Sequence, residues 1–282
     1  MNPPLPPESE WRPLLERALA EDLGGIGDIT TAAVIGVGAS ARGLIMAREH
    51  GVVAGLSIAV AVFPMLDSSI SIALEVSEGV GVAEGTVLAT VEGAAAPILT
   101  GERTALNLLG RLCGIATRTA EVVSLVAHTG ASVAATRKTT PGLRALEKYA
   151  VVCGGGRPHR SGLYDAVLIK DNHLAVVGSI AAAVKAARSA VDVGVVVEVE
   201  VTTLAGLDEA IRAGADAVLL DNMNPAMVAA AVAQARGRVV LEASGGITPE
   251  SIVVYAETGV DVISLGWLTH SVPALDVAMD FE

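Results

Sequence analysis

The chain has 282 residues and a formal net charge of -12, and 52% of its residues are hydrophobic although only 2% are aromatic. This length permits two domains or one large α/β barrel, and either can bury a sizeable core. A core built mostly from Ala, Val, Leu and Ile is typical of parallel strands covered by helices, which disfavours an all-β fold. The acidic charge disfavours nucleic-acid and anionic-membrane partners, because both require clustered positive surface.

The cysteines and the N-terminal segment bear on the cellular compartment. Cys113 and Cys153 do not have the spacing of metal ligands, which predicts buried or free thiols and no zinc site. The first ten residues lack a basic segment and an apolar run, so we expect no signal peptide. The longest uncharged stretch, between His50 and Asp67, is too short for a membrane helix. We therefore expect a cytoplasmic protein.

The first hundred residues predict a small domain of mixed elements. Apolar residues at helical spacing predict a helix over 11–23, and Gly24 and Gly25 end it before a loop over 26–31. Segments 43–47, 69–76 and 86–92 alternate or run apolar between glycines, which predicts short strands. A long helix is expected from about residue 100 to 127, as the hinge between two domains.

The remainder of the chain alternates apolar strands with helical segments such as 179–190 and 225–235. The six strands are expected to end near Thr136, Ile169, Glu200, Leu220, Ala243 and Leu265. Alternation without hairpin signals predicts βαβ units and a parallel sheet. Six strands favour a barrel-like sheet that is not closed by eight.

Each predicted strand end carries a polar residue or a glycine, and in α/β barrels these ends converge on one face. The residues concerned are Arg137-Lys138, Lys170-Asp171, Glu198 and Glu200, Asp221-Asn222, Ser244-Gly245-Gly246, and Gly266. Between Arg137 and Lys170 seven basic residues stand against two acidic ones, which predicts an anion site. Two of the four lysines in the chain, Lys138 and Lys170, directly follow strands.

The last strand ends and two carboxylates refine this anion site. Ser244-Gly245-Gly246 and Leu265-Gly266 occupy the positions where backbone N–H groups usually bind phosphate in barrels. Glu200 and Asp221 end neighbouring strands, which favours either a magnesium ion accompanying phosphates or contacts to ribose hydroxyls. Both interpretations indicate a phosphorylated sugar.

Several motifs together resemble those of quinolinate phosphoribosyltransferases, also called nicotinate-nucleotide pyrophosphorylases (carboxylating). They are Thr136-Arg137-Lys138-Thr139-Thr140-Pro141-Gly142-Leu143-Arg144, Glu147-Lys148-Tyr149-Ala150, Gly154-Gly155-Gly156, His159-Arg160 and Ile169-Lys170-Asp171-Asn172-His173. The agreement extends over most of the chain and includes Glu21-Asp22-Leu23, Gly27-Asp28-Ile29-Thr30-Thr31, Glu102-Arg103, and Leu220-Asp221-Asn222.

The resemblance implies an N-terminal α/β sandwich domain (1–112) followed by an incomplete parallel α/β barrel (113–270), with a tail (271–282) packing back on the N-terminal domain. It implies transfer of phosphoribose from phosphoribosyl pyrophosphate (PRPP) to quinolinate with decarboxylation. The products are nicotinate mononucleotide, pyrophosphate and carbon dioxide, a step of de novo NAD biosynthesis. It also implies Mg²⁺ as cofactor and a homodimer, or a higher oligomer, in which Arg103 enters the neighbouring subunit's site.

By position, the resemblance also implies a role for each site residue. The two quinolinate carboxylates would be held by Arg103, Arg137, His159 and Arg160. The junction of quinolinate and PRPP would be bordered by Lys138 and Lys170, and the catalytic groups would be Lys138, Lys170, Glu200 and Asp221. Of these, Glu200 and Asp221 would face the ribose and the magnesium ion. The phosphate region would be lined by Thr136, Ser244, Gly245, Gly246, Leu265, Gly266 and Trp267.

Two positions depart from the family pattern, and several alternatives stay open. Pro158 stands where the family usually has Asn, and Trp267 where a small residue is usual. Lys170 also has the position of a Schiff-base lysine, although its cationic neighbours disfavour that chemistry. A molybdenum-transport-associated relative and a non-catalytic metabolite-binding protein are the rival functions. Glu198 is expected to point away from Glu200, and His173 to cap or pack.

Overall fold

A computed structural model describes residues 3–282. The first part of the chain consists of α1 (Glu8–Leu23), α2 (Ile29–Val34), β1 (Ser40–Ala47), β2 (Gly51–Val52), α3 (Leu56–Ala59), α4 (Val62–Leu66), β3 (Ser71–Leu74), β4 (Gly81–Val82), β5 (Val87–Ala94) and α5 (Ala95–Val126). The predicted helices and strands of this part are present. The expected loop over 26–31 is wrong in its second half, because Asp28 accepts the Thr31 N–H at 2.9 Å and starts α2 at Ile29.

The second part alternates strands and helices, as the sequence predicts. Its elements are β6 (Ser132–Ala134), α6 (Arg144–Cys153), β7 (Val167–Ile169), α7 (Asp171–Val177), α8 (Ile180–Ala190), β8 (Val197–Val201), α9 (Leu204–Ala213), β9 (Ala217–Asp221), α10 (Pro225–Ala235), β10 (Val240–Ser244), α11 (Ile252–Ala256), β11 (Val262–Ser264), α12 (Trp267–His270) and β12 (Val277–Phe281). All six predicted strands are confirmed.

The described chain forms two compact units, and each is discontinuous in sequence. The first contains the residues up to Ala120, Thr139–Gly155 and Leu268–Glu282, and the second contains Glu121–Lys138 and Gly156–Trp267. The predicted boundaries at 112/113 and 270/271 stay a prediction. None of the helices in residues 3–282 has the length and apolar character needed to cross a membrane.

The first unit is built on an antiparallel four-stranded sheet with the order β12-β1-β5-β3. Its core is mostly aliphatic, with Phe63 and Tyr149 as buried aromatic residues, and includes the fully buried Ile45, Leu88 and Leu109. Cys113 and Cys153 are buried free thiols, as expected. Burial raises the pKa of each thiol to about 12, so both stay protonated near neutral pH.

The second unit is built on a parallel six-stranded sheet with the order β6-β11-β10-β9-β8-β7. Three of its helices begin at a capping side chain, Ser179 for α8, Thr203 for α9 and Asn224 for α10. These caps fix the turns that follow the strands, because each satisfies a backbone N–H of the first helical turn. The strands β6 and β7 are the sheet's two edges, so the predicted incomplete parallel α/β barrel is confirmed, as is the N-terminal α/β sandwich.

A buried ion pair in the first unit joins α5 to α6. Arg111 Nη2 lies 2.8 Å from Glu147 Oε1, and the Glu147 side chain is fully buried. Thr140 donates its N–H to Glu147 Oε2 at 2.9 Å and its hydroxyl to Oε1 at 2.8 Å. Removal of Glu147 would take away the carboxylate partner of Arg111, leaving the carbonyls of Thr269 and Val272 as its acceptors, and would also remove the acceptor of both Thr140 donors.

We expect Glu147→Ala to lower the free energy of unfolding by about 3–5 kcal/mol, since breaking a buried pair strands the remaining charge. Urea denaturation followed by circular dichroism measures this loss. The matched control is Asp208→Ala, which breaks the exposed helical pair with Arg212 and should change stability by no more than about 0.5 kcal/mol. Equal losses in the two variants would contradict the prediction.

Candidate active site

The carboxyl ends of the parallel strands bring the predicted site residues of the second unit to one edge of the sheet. In register, Asp221 of β9 pairs with Ser244 of β10, Ser244 with Ser264 of β11, and Ser264 with Ala134 of β6. The Ser264 hydroxyl donates to Ser244 Oγ at 3.0 Å. Because parallel strands share one direction, the segments that follow these residues emerge side by side.

Arg137 and Arg160 line the same cavity of about 600 Å³, together with Lys170, His173 and, from the segment before β8, Asp192. Burial, followed by the nearby charge of Arg137, lowers the pKa of Arg160. The Arg137 Nε is buried and has no hydrogen-bond partner among residues 3–282. Like charges held together in a partly buried cavity favour an anionic ligand strongly.

The segment carrying His159 and Arg160 reaches this cavity through a bridge to β6. Arg157 donates its N–H to Val133 O at 2.8 Å, and its carbonyl accepts the Ala135 N–H at 2.9 Å. The bridge runs parallel to β6, so the chain leaves Arg157 towards the carboxyl edge of the sheet. Arg160 therefore arrives beside Arg137, which follows β6 at the same edge.

Lys170 follows β7 and forms an ion pair with the neighbouring strand. Its Nζ lies 2.5 Å from Glu200 Oε2 of β8. The backbone N–H of Lys170 donates to His173 Nδ1 at 2.9 Å, so His173 caps the start of α7, as expected. The sequence predicted Lys170 and Glu200 as site residues, and the structure brings them into direct contact.

A buried cluster of one histidine and two glutamates lies beside the guanidinium groups. His159 Nε2 is 3.1 Å from Glu242 Oε2 and 3.9 Å from Glu198 Oε2. His159 Nδ1 accepts the Arg160 N–H at 2.7 Å. Burial and the neighbouring Glu242 carboxyl raise the pKa of Glu198 to about 7, against the opposing effects of His159 and Arg160.

The expectation that Glu198 points away from Glu200 is wrong. Side chains two residues apart on a strand lie on the same face, and the charge of Glu200 contributes to the raised pKa of Glu198. Glu242 was missed altogether. A signal for it exists in the sequence, since Glu242 precedes Ser244 by the same two-residue step that separates Glu198 from Glu200.

The predicted phosphate region forms turns with left-handed backbone. Gly245 and Gly246 have φ values of 98° and 64°. A Cβ on Gly245 would lie 2.2 Å from Asn222 Oδ1, whereas a Cβ on Gly246 would meet nothing within 4 Å. Gly245 thus allows close packing against Asn222, and Gly246 leaves open space beside its N–H group.

The Trp267 side chain makes a hydrogen bond to the turn that follows Gly246. The indole Nε1 donates to Ile247 O at 3.0 Å, one residue after Gly246. Leu265 is buried, and its N–H donates to Ala134 O at 2.9 Å. The larger residue at position 267 therefore buttresses the turn after β10.

The remaining predicted residues are placed as follows. Thr136 Oγ1 accepts the Lys138 N–H at 3.0 Å, and this bond shapes the turn after β6. Asp221 Oδ2 accepts from Asn222 Nδ2 at 2.8 Å. Arg103 belongs to α5 in the first unit, its side chain is 68% exposed, and its Nη2 lies 3.9 Å from Glu102 Oε1. The role of each in binding or catalysis stays a prediction.

The carboxylates at the ends of β8 and β9 fit a magnesium ion. Magnesium in phosphate-handling sites is usually held by one or two carboxylates, with water and substrate phosphates completing its coordination. Glu200 and Asp221 provide two carboxylates on adjacent strands, next to the glycine turns. Such a donor set suits magnesium bound together with a phosphorylated substrate.

Comparison with protein-family models assigns both parts of the chain. Residues 28–113 match the N-terminal domain and residues 115–280 the C-terminal domain of quinolinate phosphoribosyl transferase. The chain belongs to the quinolinate phosphoribosyltransferase family. The chain is similar to other members over nearly its full length. The probable nicotinate-nucleotide pyrophosphorylase (carboxylating) of Bacillus subtilis is 46% identical, over 96% of this chain and 93% of that protein.

Two further relatives agree with this assignment. The nicotinate-nucleotide pyrophosphorylase (carboxylating) of Mycobacterium leprae is 43% identical, over 95% of this chain and 96% of that protein. The structure of the nicotinate-nucleotide pyrophosphorylase from Francisella tularensis superimposes with a TM-score of 0.92 and 40% identity, covering 98% of each chain. This quinolinate phosphoribosyltransferase family member thus shares its whole fold with solved structures.

The open space at Gly246 makes its predicted contribution to phosphate binding testable. We expect Gly246→Ala to raise the KM for PRPP about tenfold or more, because a methyl group there would obstruct an anion approaching the backbone N–H. Steady-state kinetics with varied PRPP measure the change. Gly237→Ala is the matched control, since Gly237 also has a left-handed φ of 71° with nothing within 4 Å of a Cβ, in the turn before β10.

Both variants should lose about 1–2 kcal/mol of stability, the cost of a left-handed alanine, while only Gly246→Ala should change the KM. An unchanged KM for PRPP in Gly246→Ala would contradict the assignment of this turn to phosphate.

Proposed function

We propose that this chain transfers the phosphoribosyl group of PRPP to quinolinate and releases pyrophosphate and carbon dioxide, giving nicotinate mononucleotide. The observation that carries the proposal is the pair of guanidinium groups, Arg137 and Arg160, that face one cavity together with Lys170. Quinolinate has two adjacent carboxylates on a pyridine ring, so its binding requires several fixed cations. Guanidinium groups suit carboxylates because they donate two parallel hydrogen bonds.

The phosphates of PRPP have a separate site in this proposal. The turns after β10 and β11 lie at the same edge of the sheet as Arg137 and Arg160. The Leu265 N–H is donated to Ala134 O, so in this proposal Gly245 and Gly246 supply the backbone N–H groups, and Ser244, Leu265, Gly266 and Trp267 shape the phosphate site. Backbone N–H groups at such turns bind phosphate without further positive charge. In this proposal Arg137 and Arg160 therefore bind quinolinate, and Lys138 and Lys170 lie where quinolinate meets the ribose.

The transfer step needs electrostatic stabilisation rather than a covalent nucleophile. The quinolinate nitrogen attacks the ribose carbon that carries pyrophosphate, the bond from this carbon to the pyrophosphate oxygen breaks, and positive charge develops on the ribose. The carboxylates of Glu200 and Asp221 stabilise this charge, and Lys138 and Lys170 act as fixed ammonium groups beside the reacting atoms. Magnesium, held by Glu200 and Asp221, would neutralise the departing pyrophosphate.

Decarboxylation follows from the new positive charge on the ring nitrogen. The carboxylate on the adjacent carbon leaves as carbon dioxide, and its electron pair stays on that carbon beside the cationic nitrogen. A solvent proton then completes the ring as nicotinate mononucleotide. The protein contributes orientation and cations, so this step needs no further cofactor.

The contact between Lys170 and Glu200 argues against Schiff-base chemistry. A Schiff-base lysine must present a neutral amine to a carbonyl group. Lys170 Nζ instead lies 2.5 Å from a carboxylate oxygen, where a charged ammonium group makes the stronger hydrogen bond. Lys170 therefore acts by charge.

We expect the purified chain to form nicotinate mononucleotide from PRPP, magnesium and quinolinate, with carbon dioxide released in equal amount. Nicotinate has one carboxylate, so its kcat/KM should be about 10- to 100-fold lower, because a hydrogen bond to a charged group contributes about 1.5–3 kcal/mol. Chromatography of the nucleotide and trapping of labelled carbon dioxide measure both quantities. Chelation of magnesium is the control and should stop the reaction. Product from nicotinate but not from quinolinate would overturn the proposal.

The proposed active unit is a homodimer in which Arg103 of one subunit completes the neighbour's quinolinate site. The Arg103 side chain is 68% exposed and lies on the rigid helix α5, which suits a residue offered to another chain. The net charge of -12 argues against nucleic-acid partners. The free thiols of Cys113 and Cys153 support a reducing, cytoplasmic location.

Mixing two inactive variants tests this arrangement. Arg103→Ala and Lys138→Ala subunits are each expected to form inactive dimers. Mixed dimers regain one intact site, because Arg103 and Lys138 come from different subunits. Random exchange of subunits should therefore restore about a quarter of wild-type activity, given the isologous contacts of a two-fold dimer. No recovery, with subunit exchange verified by mass spectrometry, would place both residues in the same subunit's site.

A further inference from the structure

The ring of His159 is held between the backbone of Arg160 and a buried carboxyl group. His159 Nδ1 accepts the Arg160 N–H at 2.7 Å, and His159 Nε2 lies 3.1 Å from Glu242 Oε2. Two contacts on opposite sides of the imidazole leave it one favourable orientation.

These two contacts also select one tautomer. A neutral imidazole has one donor nitrogen and one acceptor nitrogen. Because Nδ1 accepts the Arg160 N–H, the ring proton resides on Nε2, and the hydrogen bond from Nε2 runs to Glu242. A hydrogen bond made by one ring nitrogen commonly fixes the state of the other.

The Glu242 carboxyl group has no other evident use in the fold. Glu242 is 5% exposed and lies inside β10, a central strand of the sheet. Its Oε1 has no hydrogen-bond partner in residues 3–282, so its hydrogen bond with His159 is the one that the side chain makes within the described residues. Burial of a carboxyl group that is only half satisfied is costly. Such a cost is typical of residues retained for function.

The backbone at His159 is itself strained. Its φ of 54° lies in the left-handed region, which costs a residue with a side chain about 1–2 kcal/mol. This conformation turns the chain between the bridge at Arg157 and the cavity, and so determines where Arg160 begins. Strain of this kind persists only where the surrounding contacts hold it.

We propose that Glu242 is a positioning residue, which through its hydrogen bond to His159 fixes the ring that holds the Arg160 backbone and thereby places the Arg160 guanidinium for one quinolinate carboxylate. This inference deepens the proposed function and rests on it. Glu242 does not touch the substrate in this role. Its effect passes through His159 to Arg160.

A divalent metal is the competing occupant of the cluster, since ligand atoms of His159, Glu198 and Glu242 all lie within 4.8 Å of one another. The tautomer argues against it. A metal at Nε2 requires the lone pair of that nitrogen, whereas the Arg160 N–H already occupies the lone pair of Nδ1. An imidazole that accepts the Arg160 N–H at Nδ1 and also binds a metal at Nε2 would have to lose its remaining N–H proton and become an imidazolate.

Kinetics of two Glu242 variants test the proposal. Glu242→Leu removes the acceptor, and we expect the KM for quinolinate to rise about tenfold or more because a small misplacement of a substrate-binding group is costly. The KM for PRPP should change by less than about twofold, as the phosphates bind elsewhere. Glu242→Gln keeps an acceptor oxygen and should restore the KM for quinolinate to within about threefold of wild type.

The matched control is Glu257→Leu, which removes the partner of His128 in an exposed histidine–glutamate pair of the same unit and should leave both KM values unchanged. In a His159→Ala background, Glu242→Leu should add no further loss, because the two residues act in series. Additive losses would show that Glu242 acts without His159 and would overturn the proposal.

Long-range ¹H–¹⁵N spectra of the full chain give a readout that does not need substrate. We expect His159, assigned by its loss in His159→Gln, to show the Nε2-protonated neutral tautomer in wild type. The Nδ1-protonated tautomer, or a shift on addition of Zn²⁺, would overturn the proposal even if Glu242→Leu failed to fold. Absence of wild-type turnover with quinolinate would refute the proposed function instead, while turnover with an unaltered KM in Glu242→Leu would refute only the positioning role.

Discussion

Repulsion between Arg137 and Arg160 is the constraint on which the organisation of the site depends. The two residues line one cavity, and burial together with the nearby charge of Arg137 lowers the pKa of Arg160. Flexible side chains would separate to relieve this repulsion. Arg137 lies three residues after the edge strand β6, and Arg160 lies three residues after Arg157, which is bridged to that same strand. The folded protein already holds the two like charges close together. A dicarboxylate that binds between them relieves their repulsion and is therefore bound more tightly.

Carboxyl groups on the strands compensate part of this positive charge. Glu200 pairs with Lys170, while Glu198 and Glu242 lie deeper, each less than a tenth exposed. Burial, followed by the charge of Glu242, raises the pKa of Glu198 to about 7. An ionised Glu198 would weaken the attraction of the cavity for anions. The raised pKa therefore keeps the site more positive near neutral pH than a count of its residues indicates.

The succession of strands along the chain and the residues at their ends could be predicted from the sequence. The spacing of apolar residues and the polar or glycine residues that follow each strand are both visible in short stretches of sequence. Contacts between distant segments could not. Nothing in the sequence of Thr139–Gly155, which contains α6, indicates that this segment belongs with the first unit. Glu242 is not among the predicted site residues, because its two-residue step to Ser244 shows only a shared strand face, and its partner His159 is 83 positions away. Glu198 was set aside through a mistaken alternation, although the two-residue period places it with Glu200.

Pro158, one of the two positions that depart from the expected family pattern, directly precedes the left-handed His159. The bridge at Arg157 fixes the chain on one side, and the left-handed His159 must be reached within two residues. Proline fixes its own φ and reduces the freedom of the unfolded segment. An ordered turn is thus less costly to form with Pro158 than with a flexible residue. Proline offers no backbone donor at position 158, but it stiffens the segment that leads to His159 and Arg160.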